Sequence, residues 1–187
     1  MAENLYVRWL DEVSLQDLSL VGGKNASLGE LAGALSGSIK VPESFAVTAD
    51  AYRDLLSQNR IWPEIEDILE RTDWSDLSVA AARAADIRTI IGTADLPEGL
   101  DQEIRKAYAK LSADHGRNVA VAVRSSATAE DLPGASFAGQ HETYLNISGA
   151  GNLVEAIRKC FASLFTQRAI SYRTNKGFDH KDVALSV

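Results

Sequence analysis

Cysteine is nearly missing from this sequence: Cys160 stands alone, so no internal disulfide can form, and no Cys/His cluster has zinc-ligand spacing. Histidine is scarce too. His115, His141 and His180 stand at no metal-ligand spacing, and each reads as a surface or structural residue. The first ten residues lack a basic segment followed by an apolar run, and no stretch approaches about 18 uninterrupted apolar residues. A cytoplasmic protein with no membrane segment is expected. Basic charge is in deficit, with 19 Lys and Arg against 26 Asp and Glu and a net charge of −7. That argues against nucleic-acid binding by phosphate neutralisation, although a few placed cations and backbone amides suffice for a polyphosphate ligand. No repeat, charge block or Ser/Pro-rich linker divides the chain. There is no G-x-x-x-x-G-K-[ST] loop and no Ser/His/Asp order.

What is present is ordinary globular material: 187 residues, 45% apolar and 24% charged, enough for one domain or two small lobes sharing a core. Gly22-Gly23 opens a helix on which Leu28, Leu31 and Leu35 recur at helical spacing. Phe45 to Thr48 reads as a strand, with Thr48 placed to cap a helix carrying Tyr52, Leu55 and Leu56. Pro63 starts a short helix with Ile65, Ile68 and Leu69. Ser75 to Ile91 forms a helix with Leu77, Ala80, Ala84, Ile87, Ile90 and Ile91 on one face, and Pro97 opens another through Leu100, Ile104, Ala107, Tyr108 and Leu111. Val119 to Val123 is apolar on both parities, as for a strand buried on both faces. Ser125 to His141 reads as loop and Glu142 to Ile147 as a strand. After a Gly149 to Gly151 turn comes a helix with Leu153, Val154, Ile157, Cys160, Phe161 and Leu164. A last helix through Ile170 and Tyr172 stops at Gly177. Val183 to Val187 looks like the start of a buried strand at which the sequence stops, so residues 1–187 are expected to be a truncated piece whose next lobe is missing.

Three features suit phosphate. The Val119 to Val123 strand delivers Arg124 at its end, with Ser125 and Ser126 directly behind, and a guanidinium fork fits phosphate oxygens. The bland alternative is an arginine salt-bridged at a strand end. Pro133 to Gly139 sets glycines, alanines and one serine around Phe137 without charge, a loop of exposed amides or else an ordinary connection. Gly22-Gly23-Lys24 places glycines and a cation at a helix N-terminus, where the alternative is a solvated lysine. Together they favour nucleotide binding. Glu130-Asp131 could approach a metal bridging phosphates, but two acids in a polar loop read more simply as a solvated pair, and Cys160 reads as core packing.

Val21-Gly-Gly-Lys-Asn-Ala-Ser-Leu-Gly-Glu-Leu31, Val41-Pro-Glu-Ser-Phe-Ala-Val-Thr48, Val121-Ala-Val-Arg-Ser-Ser-Ala-Thr-Ala-Glu-Asp-Leu-Pro133, Ala135-Ser-Phe-Ala-Gly-Gln140 and Cys160-Phe-Ala-Ser-Leu-Phe165 resemble the N-terminal part of the phosphoenolpyruvate synthase and pyruvate phosphate dikinase family. The resemblance runs from about Leu20 to the end and is weaker between Ser57 and Arg117. It implies an α+β fold, the first lobe of an ATP-grasp nucleotide-binding domain, helix-rich with a small β-sheet. It also implies that Lys24 and Arg124 contact ATP, with Ser125 and Ser126 beside them. The segment Gly134, Ala135, Ser136, Phe137, Ala138, Gly139 and Gln140 would lie over the phosphates. The implied reaction splits ATP to AMP and phosphate while one phosphoryl group passes through a histidine to pyruvate, with Mg²⁺.

The family's phosphoryl-carrying histidine sits in a Thr-His-Ala-Ala-like motif, which is not found here, and the acidic metal ligands of its second lobe would fall beyond Val187. Residues 1–187 alone are therefore expected to be inactive. Rifampin phosphotransferase shares the first-lobe motifs and differs in its acceptor, so it stands as an alternative beside a non-catalytic nucleotide-binding module. A homodimer covering Val183 to Val187 is a further expectation.

Overall fold

A computed structural model describes residues 5–34, 41–128 and 142–187. The chain opens with β1 (Val7–Trp9), whose entry is fixed by one side chain: the Glu103 carboxylate accepts from the amides of Leu5, Tyr6 and Val7 at 3.1, 2.9 and 3.0 Å. Two 3₁₀ turns, Leu10–Glu12 and Leu15–Asp17, lead into α1 (Leu18–Ala34). Next come β2 (Phe45–Val47), α2 (Ala49–Gln58), α3 (Trp62–Arg71), α4 (Leu77–Thr93) and α5 (Leu100–His115). The remainder is β3 (Val121–Arg124), β4 (Ser126–Ala127), β5 (Thr143–Ile147), α6 (Ala150–Ser163), α7 (Gln167–Lys176) and β6 (Leu185–Ser186). This is a helix-rich α+β chain with short antiparallel strands.

β1 pairs with β2, Val7 opposite Val47; β3 pairs with β5, Arg124 opposite Thr143; β4 pairs with β6, Ser126 opposite Ser186. Val47 and Val187 exchange both backbone hydrogen bonds, at 2.7 and 3.0 Å, which ties β2 to the end of β6. The main core gathers Leu55, Ile65, Ile87, Ile91, Leu100, Ile104, Ile157, Phe161, Leu164 and Phe165, all fully buried. Among the described residues no helix is long and apolar enough to cross a membrane.

Local signals set most helix ends. The Asp76 carboxylate accepts from the Ser78 and Val79 amides at the start of α4, and the Thr166 hydroxyl accepts from the Ala169 amide in α7. Gly177 ends α7 at φ 71°, the left-handed conformation that glycine takes freely. The Tyr108 hydroxyl donates to the Val119 carbonyl at 2.8 Å and accepts from the Gly149 amide at 2.7 Å, so one group pins the entry to β3 and the turn before α6. Replacing Tyr108 with Phe keeps the ring and strands both partners. It is expected to cost about 2 kcal/mol in urea unfolding, and an unchanged midpoint would mean the bridge contributes nothing.

Several local expectations are corrected. Leu28 and Leu31 do not face the core: they are 36% and 48% exposed, while the buried face of α1 is Val21, Gly22, Gly23, Ala26 and Gly29. At Gly29 α1 lies so close to the neighbouring backbone that no side chain fits; a Cβ there would meet the Val13 carbonyl. Leu35 lies outside the described residues. Leu77 is 74% exposed at the first turn of α4. Thr48 stands at the N-cap of α2, yet its hydroxyl makes no cap bond and is buried without a partner among the described residues. The strand begins at Val121, not Val119, and buries Val123 while Ala122 and Arg124 are exposed, because among the described residues only one face is covered by helix. Val183 to Val187 needs no second copy to cover it. All five residues are buried within the chain between β2 and β4.

A polar group lies inside the core. Arg173 is fully buried, its Nε donating to His180 Nδ1 at 2.8 Å and its guanidinium centre 5.2 Å from the Phe165 ring centroid. Among the described residues its Nη1 and Nη2 have no partner, nor has the buried Tyr52 hydroxyl. Burial pulls Arg173 down to about 10, and burial first, then the Arg173 charge, pull His180 down to about 4. Between pH 6.5 and pH 4 the unfolded chain therefore takes up a proton that the folded chain refuses, and stability falls as pH falls. With solvent screening of this part-exposed imidazole, the loss by pH 4.5 is expected to be about 1–2 kcal/mol. Urea melts at pH 7 and pH 4.5 check this. His180→Gln should lose measurably less on acidification than the parent, and an equal loss would contradict the assignment.

Candidate functional site

The glycine pair breaks α1 rather than simply opening it. Leu18 to Val21 form a first turn, Gly22 then takes φ 73°, ψ 165°, and the helix restarts at Gly23. That restart leaves new backbone N–H groups facing forward beside Lys24. They meet β4. The Lys24 and Asn25 amides donate to the Ser126 Oγ at 3.1 and 3.4 Å, and the Lys24 Nζ donates to the Ser125 carbonyl at 3.2 Å. Gly22 lies flat against Ser126; any Cβ there would overlap its carbonyl and hydroxyl. Segments 101 residues apart in sequence thus touch.

Ser126 is fully buried, and its hydroxyl caps the restarted helix. Ser125 is also buried, with its Oγ donating to the Glu142 carbonyl at 3.3 Å, which ties the segment to the start of β5. Arg124, one residue earlier, is exposed at the end of β3. The local result is an ammonium held by a main-chain carbonyl, a helix N-terminus and an exposed guanidinium on adjoining backbone. These are donors suited to oxyanions. Gly134, Ala135, Ser136, Phe137, Ala138, Gly139 and Gln140 lie outside the described residues, as do Glu130, Asp131 and His141.

Sequence reasoning missed two supporting residues. Asn25 Nδ2 donates to the Ser186 Oγ at 3.1 Å, and that hydroxyl donates to the Val47 carbonyl at 2.7 Å, so β6 and β2 brace the helix restart. The available signal was Ser186, the one polar side chain in the run Val183 to Val187. Among the described residues no group of three His, Cys, Asp or Glu could hold a metal ion. Cys160 is a core thiol pushed up to about 12, chiefly by burial. His115 pairs with Glu43 on the surface at 2.9 Å.

Comparison with known proteins shows the family. Residues 18–187 match the family model described as pyruvate phosphate dikinase, AMP/ATP-binding domain. The chain is 53% identical over 182 residues to a phosphoenolpyruvate synthase of Pseudomonas aeruginosa, covering 97% of this chain and 23% of that protein. It is 50% identical to the phosphoenolpyruvate synthase of Escherichia coli, covering 96% of this chain and 23% of that protein. It is also 50% identical to a probable phosphoenolpyruvate synthase of Methanocaldococcus jannaschii, covering 97% and 15%. The chain therefore spans less than a quarter of the length of these relatives.

Proposed function

The chain belongs to the pyruvate phosphate dikinase AMP/ATP-binding domain family, and from that premise we propose that residues 1–187 are the first, ATP-grasp lobe of a dikinase-type phosphotransferase of the phosphoenolpyruvate synthase kind. In this reading ATP, pyruvate and water become AMP, phosphoenolpyruvate and phosphate. One phosphoryl group reaches pyruvate by way of a histidine on another domain and the other goes to water. The observation that carries the reading is the meeting of Gly22-Gly23-Lys24 with the Ser125-Ser126 segment directly behind Arg124.

Each residue has a physical task. Lys24 and Arg124 place positive charge on the phosphate chain, and the Lys24 Nζ is kept from swinging away by the Ser125 carbonyl. Ser126 and Asn25 hold the restarted helix so that its N-terminus favours anions. Magnesium accompanies the nucleotide in this account, with its acidic ligands expected outside residues 1–187. The pyruvate site and the phosphoryl-carrying histidine are assigned to the rest of a longer protein.

The test is product formation. The protein encoded by the extended reading frame should convert ATP and pyruvate to AMP and phosphoenolpyruvate, and Lys24→Ala should remove nearly all of it. The 187-residue chain by itself should bind ATP weakly and turn over nothing. Phosphorylation of rifampin in place of pyruvate would move the protein to the alternative acceptor, and sustained product from the chain alone would overturn the one-lobe reading.

A further inference from the structure

We propose that the cleft between α4, α6, α7 and β5 is a second anion site, built for a small phosphate-bearing metabolite and separate from the nucleotide site. The cleft has a volume of about 670 Å³, within the range of small-molecule sites. Four cations, Arg88, Arg158, Lys159 and Arg168, line it against two carboxylates, Glu142 and Glu155. In a chain of net charge −7 that local balance is inverted.

These arginines are held without being neutralised. Arg88 Nη1 donates to the Phe165 carbonyl at 3.1 Å, and Arg158 Nη1 donates to the Ala94 carbonyl. Both partners are uncharged, so each guanidinium keeps its full charge and a fixed orientation. Among the described residues Arg88, Arg158 and Arg168 form no ion pair; the neighbouring ion pair is Lys159 with Glu155, at 3.9 Å. Space comes from small side chains, since Ala81, Ala85 and Gly92 line the α4 wall, and nothing stands within 4 Å of the Cβ position of Gly92. Tyr144 is the one ring in the lining. A nucleobase has little to stack on, whereas several guanidinium forks suit phosphate oxygens.

The site is on the other side of the β-ribbon from Arg124. Tyr144 lines the cleft and pairs with Val123, whereas Arg124 pairs with Thr143, one residue along and on the opposite face. Glu142 touches both regions, lining the cleft while its carbonyl accepts from Ser125.

Inorganic pyrophosphate titrated by calorimetry into a Lys24→Ala/Arg124→Ala background reads this site apart from the nucleotide site. Binding is expected to persist in that background. Adding Lys159→Gln and Arg168→Gln, both exposed, should weaken it about tenfold or more. Citrate should bind at least about tenfold less tightly than pyrophosphate. In the otherwise unaltered chain, Lys159→Gln/Arg168→Gln should leave ATP affinity unchanged, so failure here and failure of the nucleotide reading are distinguishable. Matching circular dichroism and melting confirm the fold of each variant. No pyrophosphate binding in the background up to ~10 mM, no effect of the paired substitutions, or citrate binding as tightly as pyrophosphate would each overturn the proposal.

Discussion

Gly22→Ala is expected to be among the most damaging single substitutions in this chain, costing about 3–5 kcal/mol of folding stability. Two costs add. Gly22 has φ 73° and ψ 165°, a conformation that side chains strongly disfavour, and its Cβ would be driven into the backbone and hydroxyl of Ser126. Relief requires α1 to move off β4, which breaks the hydrogen bonds from the Lys24 and Asn25 amides to Ser126. Urea unfolding checks the stability, and ATP titration of whatever remains folded should find no binding. Gly33→Ala is the control, because nothing lies within 4 Å of its Cβ position. Equal stability of Gly22→Ala and the parent would mean that the close approach of α1 to β4 is wrong.

The second large effect concerns affinity. Arg124 is exposed and supports little packing, so Arg124→Ala should leave the melting temperature almost unchanged while costing about 1.5–3 kcal/mol of ATP affinity, one charge-assisted hydrogen bond. Lys24→Ala should lose a similar amount and in addition release the Ser125 carbonyl. Because both cations would act on the same phosphate chain, their double variant should depart from additivity. An unchanged dissociation constant for Arg124→Ala would remove it from the site.

How much of this could be read in advance follows from how local each cause is. The helices over Trp62–Arg71, Leu100–His115 and Ala150–Ser163 were legible because their apolar spacing, Pro63 and flanking glycines act within a few residues. The buried face of α1 was not. Its leucines carry the helical period, but the face that packs is chosen by the backbone of Val13, in the turn before the helix, and of Ser126, about a hundred residues on, which leave no room for a side chain at Gly29 and Gly22. The Val119 to Val123 run misled for a related reason: five apolar residues suggest burial on both faces, whereas among the described residues the two-stranded ribbon has helix on one side only.

Lys24, Arg124 and the paired serines stood out by type, yet their adjacency rests on long-range pairing of β4 with β6 and on the Ser186 to Val47 bond. No window of sequence contains that.

The central claim is that ATP binds where the restarted α1 meets the Arg124 to Ser126 segment. Amide chemical shifts of the isotope-labelled chain during an ATP titration test it most directly. The account predicts saturable shifts at Gly22, Gly23, Lys24, Asn25, Arg124, Ser125 and Ser126, lost in Lys24→Ala/Arg124→Ala. Shifts confined to other surfaces, with these seven amides unmoved at saturation, would contradict it.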